Sequence, residues 1–126
     1  MTEGPGGVTA DLELWLKAND GAGIADNTAL ATWYDQAKTN NATVNVAGQE
    51  PTYRDNPNFN VNFNAVVDFD NDYNSASVDY TYSDTSRNEM QGAAGFFSDD
   101  FYAVVIPDLN VTSSTPSLDI FCADSD

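Results

Sequence analysis

Residues 64–74 read Asn64-Ala-Val-Val-Asp-Phe-Asp-Asn-Asp-Tyr-Asn74, and the change of character along them decides the fold. Val66, Val67 and Phe69 are β-formers, whereas Asp68, Asp70 and Asp72 fall on every second position. Alternation with period two fits a half-buried strand that keeps its polar side chains on one face. Residues 71–74 then supply turn chemistry, because Asn and Asp tolerate left-handed backbone and bond their own main chain. A strand over residues 65–70 that runs into a polar turn is the expected unit.

Outward from it, the same pattern recurs. Residues 77–82 (SVDYTY) alternate again and should pair with the central strand. Upstream, residues 11–17 (DLELWLK) set Leu12, Leu14 and Leu16 against Glu13, Trp15 and Lys17, which predicts a strand ended by the glycines after Asn19. Residues 28–35 around Trp33 lean to a strand, and residues 42–47 (ATVNVA) form a short one. Residues 49–63 carry two prolines and four asparagines. They predict an extended, hydrogen-bonded loop with strand content near residues 51–54. Residues 101–106 (FYAVVI) are the most hydrophobic run and read as a strand buried on both faces. Residues 118–122 add one more. About seven short strands between turn signals, with no long helix and no repeat, make an all-β, antiparallel β-sandwich pattern.

Composition narrows the function. The chain has 126 residues, 20 acidic against 4 basic, and a formal charge of -16. Nucleic acid and anionic membrane surfaces both need clustered Lys and Arg, so neither is an expected partner. Excess carboxylate suits high-salt solubility, or cation binding where the carboxylates converge. Seven Phe, six Tyr and two Trp within 41% apolar residues mark a chain that folds. There is no histidine and a single cysteine, Cys122, so an internal disulfide, a Cys metal site and His-based catalysis all drop out. No apolar run approaches membrane-spanning length. Residues 1–8 are a polar, Gly-rich lead without an apolar signal core, and Met1 reads as an added or processed start on a mature secreted segment.

The order of these pieces resembles one family. A Pro-Gly-Gly-Val lead, Leu14-Trp-Leu-Lys-Ala18, Trp33-Tyr-Asp-Gln36 and Asn41-Ala-Thr43 come first. Pro51-Thr-Tyr-Arg-Asp55, Asn64-Ala-Val-Val-Asp-Phe-Asp70 and Phe101-Tyr-Ala-Val-Val-Ile-Pro107 follow in turn. Together they look like the LamG-like, concanavalin A-like domains of large secreted bacterial surface proteins, of the Bacteroidota type. The resemblance implies a jelly-roll sandwich over residues 9–126, a secreted or cell-surface location, and a role in adhesion or glycan recognition. Ala37, Lys38 and Asn71 stand where that family often has Ser, Gly and Gly. Such sandwiches also run to about 200 residues. The expectation is therefore an N-terminal portion whose sheets are completed by other segments or chains of the same surface assembly.

Three acidic loops carry the candidate chemistry. Asp68, Asp70, Asp72 and Asn74, with Asp79 further on, partly match a calcium loop, since hard cations take about six to eight oxygens. Tyr73 stands where such a loop needs Gly, so a plain turn is the competing reading and calcium is the candidate cofactor. Asn19, Asp20 and Asp26 form a second loop; Ser98, Asp99 and Asp100 form a third. Exposed rings and amides are the other route to sugars. Tyr53, Tyr73, Asp99 and Asp100 are the candidate ligand-binding residues, with Tyr34 and residues 56–60 in second place as loop contacts. Trp15 and Trp33 read as packing in a two-sided sheet.

Hydrolysis of a glycoside needs two carboxylates flanking the scissile bond. The four glutamates, Glu3, Glu13, Glu50 and Glu89, are scattered, so the chain reads as non-catalytic. A structural module of a surface filament is the first alternative and a laminarinase-like hydrolase the second. The sequons Asn41-Ala-Thr43 and Asn110-Val-Thr112 read as coincidence in a bacterial chain.

Overall fold

The computed structural model describes residues 4–8, 10–20, 23–69, 88–92 and 100–106. Five short strands lie in two antiparallel sheets, with two 3-10 turns and no α-helix among the described residues. They are β1 (Thr28–Ala29), β2 (Thr32–Trp33), β3 (Ala42–Thr43), β4 (Thr52–Arg54) and β5 (Val66–Asp68). The first sheet has the order β1-β4-β5 and the second pairs β2 with β3.

One extended segment belongs to both sheets. Thr28 and Ala29 face Tyr53 and Thr52, and the ladder continues through Asn27 N to Tyr53 O (2.9 Å) and Leu30 N to Pro51 O (2.8 Å). Beyond Leu30 the chain changes partner. Thr32 and Trp33 face Thr43 and Ala42, and Val44 N donates to Ala31 O at 3.1 Å. Leu30 sits at that switch and is buried, as are Ala42, Tyr53 and Ala65; Gln49 and Pro51 are the most enclosed large side chains. Proline fits here because it has no N–H to satisfy, while its carbonyl still accepts from Leu30.

Residues 88–91 close the second sheet on its far side. Gln91 exchanges both backbone bonds with Thr43, at 2.9 and 2.8 Å, and Glu89 N donates to Gln49 O at 3.1 Å. The Asn88 amide donates to Glu50 O at 2.9 Å.

The central strand forms, but over Val66–Asp68 rather than the expected 65–70, with Asp70 outside the described residues. It runs antiparallel to β4 with Tyr53 opposite Val67. Asp68 and Arg54 are diagonal neighbours on one face of that pair. Arg54 Nε donates to Asp68 Oδ2 at 3.1 Å. Pairing of this strand with residues 77–82 lies outside the described residues, as does the strand over 118–122.

Three strand expectations are corrected. Residues 11–17 form no ladder: Leu16 makes a single bridge with Asp35, and Leu12 through Lys17 are all half-buried. The reason is hydrogen-bond accounting. Trp15 N goes to the Asp35 carboxylate, Trp15 O to Gln36 N and Glu13 O to the Asn40 amide, so a polar loop takes the place of a neighbouring strand. The strand over 42–47 is cut to two residues, because a turn from Val46 to Gln49, with Gly48 at φ 95°, bends the chain away. Residues 101–106 belong to no strand, and Phe101, Tyr102, Val104 and Ile106 are largely exposed. High β propensity is local, but a strand also needs a ladder, and no ladder among the described residues includes this run.

Candidate functional site

Residues 56–64 (NPNFNVNFN) alternate asparagine with apolar residues throughout, and yet they form no strand. Asparagine explains it, since its amide competes for local backbone groups. Asn56 Oδ1 accepts from Asn58 N (3.1 Å), and Asn56 O accepts from both Phe59 N and Asn60 N at 3.0 Å. The chain then makes a tight two-residue hairpin. Val61 and Asn64 exchange backbone bonds at 3.0 and 2.9 Å around Asn62 and Phe63, whose φ angles are 48° and 66°. Positive φ at both central residues is the type I′ geometry. The Asn64 amide fastens the turn by donating to Asn62 O at 2.9 Å.

Phe63 is the unusual member. A bulky side chain rarely occupies left-handed backbone, and strain of this kind costs roughly 1–3 kcal/mol. The ring gains no burial in return, for it is 99% exposed at the tip of the hairpin. Pro57, Asn60, Asn62 and Phe63 line a shallow open depression there. A displayed aromatic face among amides can stack on an apolar sugar face and bond hydroxyls.

The base of the loop is held from two sides. Asp26 accepts Asp55 N at 2.7 Å and the Asn56 amide at 2.8 Å. Those bonds hold its carboxyl below the ordinary range, the Asp55 backbone contributing most and Asn56 next. Asn60 donates to Asp55 Oδ1 at 3.3 Å, and Asn19 donates to Asn64 Oδ1 at 3.1 Å. Arg54 is engaged on three counts: its Nε by Asp68, its Nη1 by Asn27, and its flat face by the Phe59 ring, 4.6 Å from the centroid.

A second polar cluster lies around Asp35, which is only 8% exposed. Its Oδ1 accepts Trp15 N and Ala37 N, both at 2.8 Å; its Oδ2 accepts Lys38 N at 2.9 Å and Asn40 N at 3.0 Å. Asp35 N in turn donates to Asn41 Oδ1 at 3.0 Å. Burial pushes this carboxyl upward, but the backbone donors outweigh it and leave the carboxyl below its ordinary range. Every acceptor is filled from within the chain, so this cluster is a staple between residues 13–16 and 35–41.

The expected site residues part company. Asp68 lies on β5 with its Oδ2 on Arg54. Tyr53 is in the core, 4% exposed, and shows no open ring face; burial and the neighbouring Asp55 raise its hydroxyl pKa. Asp100 is exposed. Asp70, Asp72, Tyr73, Asn74, Asp79 and Asp99 lie outside the described residues. Of the second acidic loop, Asp26 meets the 56–64 loop, as does Asn19. Among the described residues no three Asp or Glu side chains converge on a point. Tyr34 is 62% exposed. Nothing in the composition singles out Phe63, because exposure and backbone sign are not written there. The one available signal was its place between Asn62 and Asn64, at the end of an asparagine alternation. Comparison with known proteins finds no matching family model, no matching curated protein and no matching solved structure.

Proposed function

We propose that this chain is a non-catalytic adhesion or glycan-recognition module, built as a LamG-like, jelly-roll β-sandwich and displayed outside a bacterial cell. The observation that carries the reading is Phe63: a fully exposed ring, held on left-handed backbone at a hairpin tip between Asn62 and Asn64. Conformational cost without burial is the mark of a residue kept for contact with something else. The acidic run from Asp68 to Asp79 remains the place for a calcium ion that would support such a surface. The test is a polysaccharide panel probed with the parent chain and with Phe63→Ala at matched folding. Binding that falls at least tenfold in the variant supports the reading. Absence of binding across the panel, with and without calcium, removes it.

A second reading, an assembly module of a surface filament, is favoured by residues 101–106. An uncharged β-forming run with its apolar side chains in solvent is suited to strand addition. Light scattering on the parent chain and on Val104→Asp separates the two: association that the substitution abolishes supports assembly.

A further inference from the structure

The recognition surface has a charge of its own, and it bears on the class of ligand. Two carboxylates bond directly to the loop: Asp55 takes the Asn60 amide, and Asp26 takes the Asn56 amide and Asp55 N. Asp55 thus touches a residue that lines the depression, and Asp26 holds the residue before Pro57, so both carboxylates act on a bound polymer over a Debye length of about 10 Å at 0.1 M salt. Of the cations described, only Arg54 belongs to this loop, and its guanidinium is already bonded to Asp68 and Asn27 and covered by Phe59. Lys38 lies instead against Glu13, and Lys17 over the Trp15 ring. The whole chain adds a formal charge of -16. What the depression offers is the apolar Phe63 and Pro57 rings and the exposed amide of Asn62, an uncharged donor and acceptor. Asn60 turns its amide inward, with its nitrogen on Asp55 and its oxygen buried.

Resting on the recognition role above, we propose that the 56–64 loop binds uncharged, polyhydroxylated chains and excludes polyanionic ones. The Phe63 ring stacks on a sugar face, the Asn62 amide bonds hydroxyls, and the acidic surround repels carboxylated or sulfated polymers. Like charges brought together at a binding surface act against the wrong partner as well as for the right one.

Affinity electrophoresis or calorimetry on the full chain tests this, with laminarin and mannan as neutral probes and alginate as the polyuronate. The expected result at low salt is binding to a neutral probe at least tenfold tighter than to alginate. Raising the salt should narrow the gap by improving alginate alone, because only that interaction is electrostatic. Phe63→Ala should weaken the neutral complex at least tenfold while leaving the melting transition in place. Alginate bound as tightly as the neutral probes at low salt, and lost in Phe63→Ala, would overturn the charge selection and keep the recognition role. Binding to none of the three overturns both.

Discussion

The Asp35 cluster and the 56–64 loop are made of the same kinds of residue, yet they do opposite things. Around Asp35 one carboxylate gathers backbone donors from two separated segments and is closed off from water. Along 56–64 most amide bonds stay within a few residues, and the ring at the tip faces solvent. Each also reaches one distant part of the chain, Asp35 through Trp15 and the loop through Asp26 and Asn19. The difference lies in where the bonds converge: on a single enclosed carboxylate in the first, and at the base of a loop whose tip is left in solvent in the second.

The comparison is broken or sharpened most strongly at Asp35. Asp35→Ala orphans the buried donors of Trp15, Ala37, Lys38 and Asn40, and should destabilise the chain by about 3 kcal/mol in urea unfolding. A loss below about 1 kcal/mol would mean that the cluster is no staple. Acid offers a second route. The folded carboxyl titrates below the unfolded value of 3.8. Its stabilisation is therefore complete above that value and lost as pH falls through the folded one. The gap between the parent chain and Asp35→Asn, measured by thermal melts, should be widest near neutrality and shrink once pH drops below 3.8.

At Phe63 the expected effect is smaller and of opposite sign. Phe63→Gly gives the hairpin the Asn-Gly pair that a type I′ turn favours, and should raise stability by about 0.5–1 kcal/mol even as binding is lost. A loss of stability instead would show that the ring is structural. Smallest is Asp68→Asn, which breaks a partly exposed ion pair with Arg54 and should cost about 0.5 kcal/mol, with a weaker salt dependence of the melt.

Much of the strand pattern was legible. Period-two alternation located the strand at Val66–Asp68, and Pro51 with the residues after it pointed to β4, now Thr52–Arg54. The same rule failed at residues 11–17 and did not touch residues 56–64, though both alternate. In the first, side-chain and loop acceptors supply what a neighbouring strand would have given. In the second, asparagine bonds its own backbone and turns the chain. Residues 101–106 read as a buried strand but are exposed and outside the ladders of the described residues, because apolar character measures the gain available from burial and not which segment meets the run. Of the candidate ligands, Tyr53 proved to be core, and Phe63 needed coordinates to be seen.

The sequence by itself determined an antiparallel β pattern, which the described residues share, a formal charge of -16, the absence of histidine, and loops shaped by asparagine. Those properties follow from composition and short-range geometry, which each residue carries with it. Only the tertiary structure decided that residues 27–33 serve two sheets, that Asp35 is sealed by donors from residue 15 and residues 37–40, and that Phe63 stands free. Each depends on which distant segments meet, and the free energy of such meetings is set by packing and hydrogen-bond closure that no local pattern encodes.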